Sequence, residues 1–154
     1  MIDIRRAAPP DGRELSELHR ASIRALCSPA YSPDQIEAWT GQLEPDRYLS
    51  AMQQFEFFVA ENPDLLGFFI LNIEGSELNA LYIHPGAAGR GVGSRLLTFA
   101  EELARSRSVE TLKLKATLNA AGFYQSRGFE PLRRALHTSP AGLELPCIEM
   151  SKAL

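Results

Sequence analysis

The chain has 154 residues, 45% of them hydrophobic, enough to close one core with a single domain expected over 1–154. Lys and Arg number 16 against 19 Asp and Glu, a formal charge of −3 with the cations scattered, which excludes a binder that presents one basic face to nucleic acid. No long apolar segment follows Met1, so neither a secretory signal nor a membrane span is expected and the location is read as cytoplasmic; Cys27 and Cys147 stand far apart without metal-spaced partners, so reduced thiols and no metal site are expected.

Alternation over residues 2–6 predicts a first strand, ended by Pro9-Pro10-Asp11-Gly12. Leu15, Leu18, His19, Ser22, Ile23 and Leu26 then recur at helical spacing, with Arg13, Glu14, Glu17, Arg20 and Arg24 mainly on the opposite face, and Pro29 closes that helix. Ser32-Pro33-Asp34-Gln35 starts a second helix: Ser32 as N-cap, Pro33 at the first helical position and Gln35 as capping-box partner, with Ile36 and Trp39 facing inward. A short helical turn is predicted over 45–52. Strands follow at 55–60 and 66–72, joined by Glu61-Asn62-Pro63-Asp64, and a third at 77–83 after the turn Glu74-Gly75-Ser76, so the three form a meander.

Beyond this strand, Val92, Leu96, Leu97, Phe99, Ala100, Leu103 and Ala104 mark a long amphipathic helix ending near 105–108, and 111–117 reads as the strand that completes a βαβ crossover. A short helix is predicted over 119–127 with Gly128 as its stop, then closing strands at 129–136 and 145–150. Pro146 in the last strand predicts an edge position or a bulge, because proline cannot donate to a ladder. The fold class is α/β, with a mixed sheet and helices on both faces.

Between the strand at 77–83 and the long helix lies Gly86-Ala87-Ala88-Gly89-Arg90-Gly91-Val92-Gly93-Ser94-Arg95. Glycines at a strand-to-helix junction permit positive φ and close approach of a ligand, and the first N–H groups of the helix point outward at the positive end of its dipole. The run predicts a cradle for phosphate or pyrophosphate. It is not a Walker loop, since Val92 and Gly93 follow Gly91 where Lys and Ser or Thr are required. Nor is it G-x-G-x-x-G: starting at Gly89 or Gly91 the third glycine would fall on Ser94 or Leu96, and some twenty residues on stand Lys113 and Lys115 in place of a ribose-binding acid.

Ala88-Gly89-Arg90-Gly91-Val92-Gly93 resembles the acyl-CoA loop of the GNAT superfamily of N-acetyltransferases, Gln or Arg, two residues, Gly, one residue, Gly or Ala; Ala88 departs from the family's long polar side chain. The preceding 77–83 strand with His84-Pro85 and the later segment Asn119 to Phe129, similar to the family's Asn-x-x-Ala-x-x-Phe-Tyr-x-x-x-Gly-Phe with Gly122 near Phe123, carry the resemblance across the central third of the chain. It implies a mostly antiparallel mixed sheet with a splayed-strand site, acetyl-CoA as cosubstrate, and direct attack of an amine on the thioester. Cofactor contacts are then expected from Leu81, Tyr82 and Ile83, along which pantetheine pairs like an added strand, from Ala88, Gly89, Arg90, Gly91, Val92, Gly93 and Ser94, and from Asn119.

Acetyl transfer needs a neutral amine, a stabilised carbonyl oxygen and a proton for the departing thiolate. Glu77 occupies a place resembling the family's general base, with Asn79 as an alternative that orients a water or the acceptor; an alkylamine of pKa about 10 needs such help. His84 is the lesser candidate for a base. The resemblance implies backbone N–H groups of Tyr82 or Ile83 at the oxygen, and Tyr124, a phenol protonated at neutral pH, as the proton donor to sulfur. The acceptor, a small-molecule or peptide amine, is left open: His19, Ser22, Tyr31, Trp39, Tyr48 and His137 are candidates by position, and Asp34, Glu37 and Glu44 could attract a cation. A homodimer through an exposed closing strand, a non-catalytic acyl-CoA sensor and a nicotinamide-dependent oxidoreductase are the other readings.

Overall fold

Four strand-like runs that alternate or bury both faces build the N-terminal part of one seven-stranded sheet: β1 (Asp3–Arg6), β2 (Glu56–Glu61), β3 (Leu65–Asn72) and β4 (Glu77–Ile83). The computed structural model describes residues 1–139 and 142–154. The sheet continues with β5 (Thr111–Thr117), β6 (Glu130–Thr138) and β7 (Glu144–Ala153) in the order β1-β2-β3-β4-β5-β7-β6, antiparallel throughout except between β4 and β5. That single parallel pair follows from the crossover helix between the two strands, α4 (Val92–Ser106).

Helices cover both faces. On one, α4 inserts Val92, Leu96, Leu97, Ala100 and Ala104 against Phe69, Leu78, Leu112 and Leu114, with α5 (Ala121–Gln125) beside it. On the other lie α1 (Gly12–Ser22), α2 (Pro33–Thr40) and α3 (Asp46–Gln54), with Leu15, Leu18 and Tyr48 packed on Phe57, Val59 and Phe68. The predicted cap of α2 is present in full, Gln35 N–H donating to Ser32 Oγ at 3.1 Å and Ser32 N–H to Gln35 Oε1 at 2.8 Å. The first helix does not run on in α form to Leu26; it widens into a π segment over Ile23–Cys27 that turns Cys27 into the core.

Two local expectations are corrected. The helix predicted over 119–127 is confined to Ala121–Gln125: its N-cap is Ala120, without a side-chain cap, and Asn119 precedes it in a turn. Gly128 is nevertheless its stop, at φ +95°, with Phe129 N–H bonded to Tyr124 O at 3.1 Å and Gly128 N–H to Gln125 O at 3.2 Å, the paired bonds that close a helix on a left-handed residue. Pro146 is not on an edge strand, because β7 lies between β5 and β6. It is tolerated one residue beyond the last β5–β7 pair, Thr117 with Cys147, where no β5 carbonyl asks for its missing N–H; its own carbonyl accepts the Tyr31 hydroxyl at 2.6 Å. The irregularity between β6 and β7 falls instead between Pro131 and Arg133, and the strand left at the edge is β6.

Candidate active site

The site is created by a ladder that stops early. β4 pairs with β5 only at Glu77 with Lys113 and Leu78 with Leu114; beyond that β4 keeps β3 alone and β5 keeps β7 alone. The divergence coincides with a bulge, since β3 pairs Leu71 with Leu78 and Ile70 with Ala80, leaving Asn79 as the extra residue. His84 N–H bonds Leu66 O at 2.8 Å, and counting back along the antiparallel register gives the Tyr82 and Ala80 amides to β3 as well. The Leu81 and Ile83 amides therefore face the opening between β4 and β5. Of the two amides expected at the carbonyl oxygen, that of Ile83 is outside the β3–β4 ladder and that of Tyr82 is occupied by it.

Below the open edge, Pro85–Ala87 forms a 3-10 turn capped by His84, whose Nδ1 accepts the Gly86 N–H at 3.0 Å. This bond and the position of His84 beside α1, away from the opening, explain it as a turn former. Gly89 and Gly91 adopt φ +77° and +81°, and a Cβ on either would meet no atom within 4 Å, so the requirement for glycine is conformational and the space in front of them is free. Gly91 is the N-cap of α4 and offers no side-chain oxygen; the first bond closed is Arg95 N–H to Gly91 O at 3.1 Å, so the amides of Val92, Gly93 and Ser94 point out unused within the helix. Val92 contributes only this amide, its side chain being buried, while Ala88 and Arg90 stand exposed. Gly93 serves a different need: a Cβ there would come within 3.3 Å of Phe123 Cζ and 3.7 Å of Ile83 Cγ1. The Ser94 hydroxyl accepts a bond from Arg127, whose guanidinium lies 4.2 Å over the Phe123 ring, tying the first turn of α4 to α5.

Two cavities meet in the opening. One, of 280 Å³, runs from Gly93 along Leu81, Tyr82 and Ile83 to Asn119, Phe123 and Tyr124, with Ser22 and Cys27 on its far wall. Tyr124 is 6% exposed and its hydroxyl makes no hydrogen bond among the described residues; burial pushes its phenol above the usual range, so it holds its proton. Burial likewise raises the Cys27 thiol to about 11, against weaker hydrogen bonds from Asn119 and Thr117, so this sulfur is no thiolate at neutral pH.

The second cavity, of 470 Å³, lies on the other side and shares Tyr82 and Thr117 with the first. Glu77 and Asn79 enter it from β4, and His19, Tyr31, Trp39, Tyr48 and His137, read from position alone, line it as well. Ser22 belongs to the first cavity, and Asp34, Glu37 and Glu44 line neither. Sequence reasoning missed Arg47 of α3 and Lys115 of β5. Lys115 was legible as a charge at 111–117 alternation, but only the splay of β5 from β4 makes it a wall residue. His19 is 6% exposed, its Nδ1 2.9 Å from the Tyr48 hydroxyl and its Nε2 buried without a partner among the described residues; burial, then Arg47 and Arg20, depress it to about 3, so it is neutral. Burial also pushes Tyr48 up to about 12.

Residues 27–151 match the family model described as an acetyltransferase (GNAT) domain. The chain is 29% identical over 138 residues to the peptidyl-lysine N-acetyltransferase YjaB of Salmonella typhimurium, covering 88% of each. It superposes on a GCN5-related N-acetyltransferase from Rhodopseudomonas palustris with TM-score 0.91 at 28% identity, covering 99% of this chain and 95% of that one. PaiA N-acetyltransferase from Thermoplasma acidophilum, solved in complex with coenzyme A, matches with TM-score 0.82 at 24% identity over 100% and 99% of the two chains.

Proposed function

The chain belongs to the GNAT family of acetyltransferases, and from that premise we propose that it moves the acetyl group of acetyl-CoA directly to an amine held in the 470 Å³ cavity. The observation that carries this reading is the early end of the β4–β5 ladder, with a cavity on each side and Tyr82 and Thr117 common to both. The residues present suit coenzyme A: positive φ at Gly89 and Gly91, the unused amides of Val92, Gly93 and Ser94 for pyrophosphate, and an open strand edge for the pantetheine amides. The complex of the structurally similar PaiA with coenzyme A supports the same assignment.

Acetyl-CoA supplies an acyl group already activated as a thioester; the C–N bond forms as the C–S bond breaks, and the thiol leaves with a proton. Glu77 takes the proton of the incoming ammonium, directly or through water beside Asn79. The Ile83 amide donates to the carbonyl oxygen as charge grows there. Tyr124, protonated and with no hydroxyl partner among the described residues, donates its proton to the departing sulfur and regains one as the nitrogen sheds its second proton to become the amide. The two thiols that line the cavities, Cys27 and Cys147, are both shifted upward by burial, which favours direct attack over an acyl-cysteine route.

Thermal unfolding with acetyl-CoA and NADH in parallel tests the cosubstrate: acetyl-CoA at a hundred times Kd stabilises by about 2.7 kcal/mol, and NADH does not. Amine-dependent thiol release then separates an enzyme from a sensor that binds without turnover. Tyr124→Phe lowers kcat about 100-fold while keeping the acetyl-CoA shift. A shift with NADH alone overturns the reading, and unchanged kcat removes Tyr124 from the mechanism.

A further inference from the structure

The charges in the acceptor cavity are unequal, and their ordinary partners are taken. Glu77 is the one carboxylate among its lining residues; Arg47 and Lys115 are two cations, and none of the three makes an ion pair within 4.0 Å among the described residues. The residue across the ladder from Lys115 is Glu149, but Glu149 is held by Arg133 at 2.6 Å. Glu44, three positions before Arg47, faces Arg20 at 3.5 Å, and the Arg47 guanidinium gives a long bond of 3.4 Å to the Gln42 carbonyl and lies 6.0 Å over the Tyr48 ring. The same wall contains the buried Nε2 of His19, without a partner among the described residues.

We propose that the acceptor bears a carboxylate as well as its amine, the ammonium entering at Glu77 and the carboxylate resting between Arg47 and Lys115, so that the substrate class is a free amino acid rather than a plain alkylamine or a polyamine. The proposal rests on the acetyl-transfer reading above and specifies its acceptor. His137 reports that these charges share one space: after burial its imidazole is pushed down by Lys115, pulled up by Glu77 and pushed down by Arg47. A polyamine would bring its second ammonium against two unpaired cations. A carboxylate placed there pairs both, and Trp39, Tyr31 and Tyr48 supply an apolar wall for the carbon skeleton between the two charged ends.

The experiment measures thiol release from acetyl-CoA with matched amines that differ in the carboxylate: lysine with 1,5-diaminopentane, phenylalanine with 2-phenylethylamine, 4-aminobutyrate with butylamine, and in addition a terminally blocked lysine peptide. The expected kcat/KM is at least tenfold higher for the carboxylate-bearing member of a pair. Arg47→Met and Lys115→Met each reduce that ratio at least fivefold, and Lys115→Glu inverts it. Both side chains are exposed, so the fold tolerates these changes, and a retained acetyl-CoA shift in thermal unfolding verifies it. Ratios near one, ratios unmoved by the variants, preference for the blocked peptide, or no turnover with any carboxylate-bearing amine overturn the proposal. Failure of acetyl-CoA itself to stabilise the protein instead overturns the acetyl-transfer reading beneath it.

Discussion

The two sides of the β4–β5 opening are made of different material. The side facing Gly89 and Gly91 is backbone: two glycines at positive φ, the free amides of an α4 terminus and the unpaired edge of β4, with side chains such as Val92 turned into the core. The facing side is side chains, gathered from α1, α2, α3, β4, β5, β6 and β7 around Glu77, Arg47 and Lys115. In the proposed function the phosphates of the cosubstrate fall to peptide N–H groups, which any sequence supplies once the chain is bent correctly. The acceptor, in the same reading, falls to residues that can be exchanged one at a time without disturbing that bend. The first kind of site is sensitive to conformation, the second to charge.

That difference is sharpest under acid. His19 sits in the side-chain wall, neutral and buried, with its pKa lowered from 6.5 to about 3. Unfolded, it takes up a proton near 6.5; folded, it does so only near 3, so the folded state binds fewer protons in between. Its contribution is fully present above pH 6.5 and is lost as pH falls toward 3, at most roughly 5 kcal/mol in all. Urea unfolding followed by Trp39, the single tryptophan and part of the same wall, should give a midpoint that falls steadily from pH 6.5 to 4.5. His19→Gln should flatten most of that slope, and His137→Gln, whose imidazole is also shifted downward, a smaller part. A slope left intact by His19→Gln would mean that the acceptor wall is not the acid-sensitive half.

The backbone side should break by geometry alone. Gly91 has φ +81°, where a β-branched residue is strained, yet nothing stands within 4 Å of where its Cβ would point. Gly91→Val should therefore cost the free protein about 1–2 kcal/mol. Its main effect should fall on the cosubstrate: Kd for acetyl-CoA should rise at least tenfold, about 1.4 kcal/mol, by calorimetry. The discrimination between amines in the opposite cavity should stay as it is. Loss of that discrimination together with acetyl-CoA affinity would show the two sides to be one cooperative unit.

This division also explains what could be read from the sequence. The strand, the glycine run and the helix after it are contiguous, so Gly89, Gly91 and the α4 amides were legible from local spacing. The acceptor wall was half legible: helical spacing turned His19 inward, and Trp39 followed from the Ser32 cap, but an exposed Arg47 or Lys115 looks like any solvated cation until β4 and β5 part. The Asn79 bulge left no mark in its residues, being a mismatch of register between two strands. Pro146 misled for a related reason. Proline reports a missing ladder partner, and a neighbour that ends at Thr117 leaves the same vacancy as a sheet edge.

The smallest expected effect concerns the helix that carries Tyr124 between these two sides. α5 is short, lacks a side-chain cap and contains Gly122, which is exposed, has no positive φ, and would place a Cβ where nothing lies within 4 Å. No conformational or steric need keeps glycine there, so Gly122→Ala should stabilise the protein by somewhat under 1 kcal/mol through helix propensity and a less free unfolded chain. The phenol is held by contacts that do not involve Gly122: edge-on rings of Phe123 and Phe129 at 5.2 and 5.7 Å, and the closing bonds at Gly128. The thermal midpoint should thus rise by a few degrees with kcat unchanged. A fall in kcat alongside the rise in midpoint would mean that α5 must yield for Tyr124 to reach the sulfur, and that the side of the site built from backbone also depends on motion.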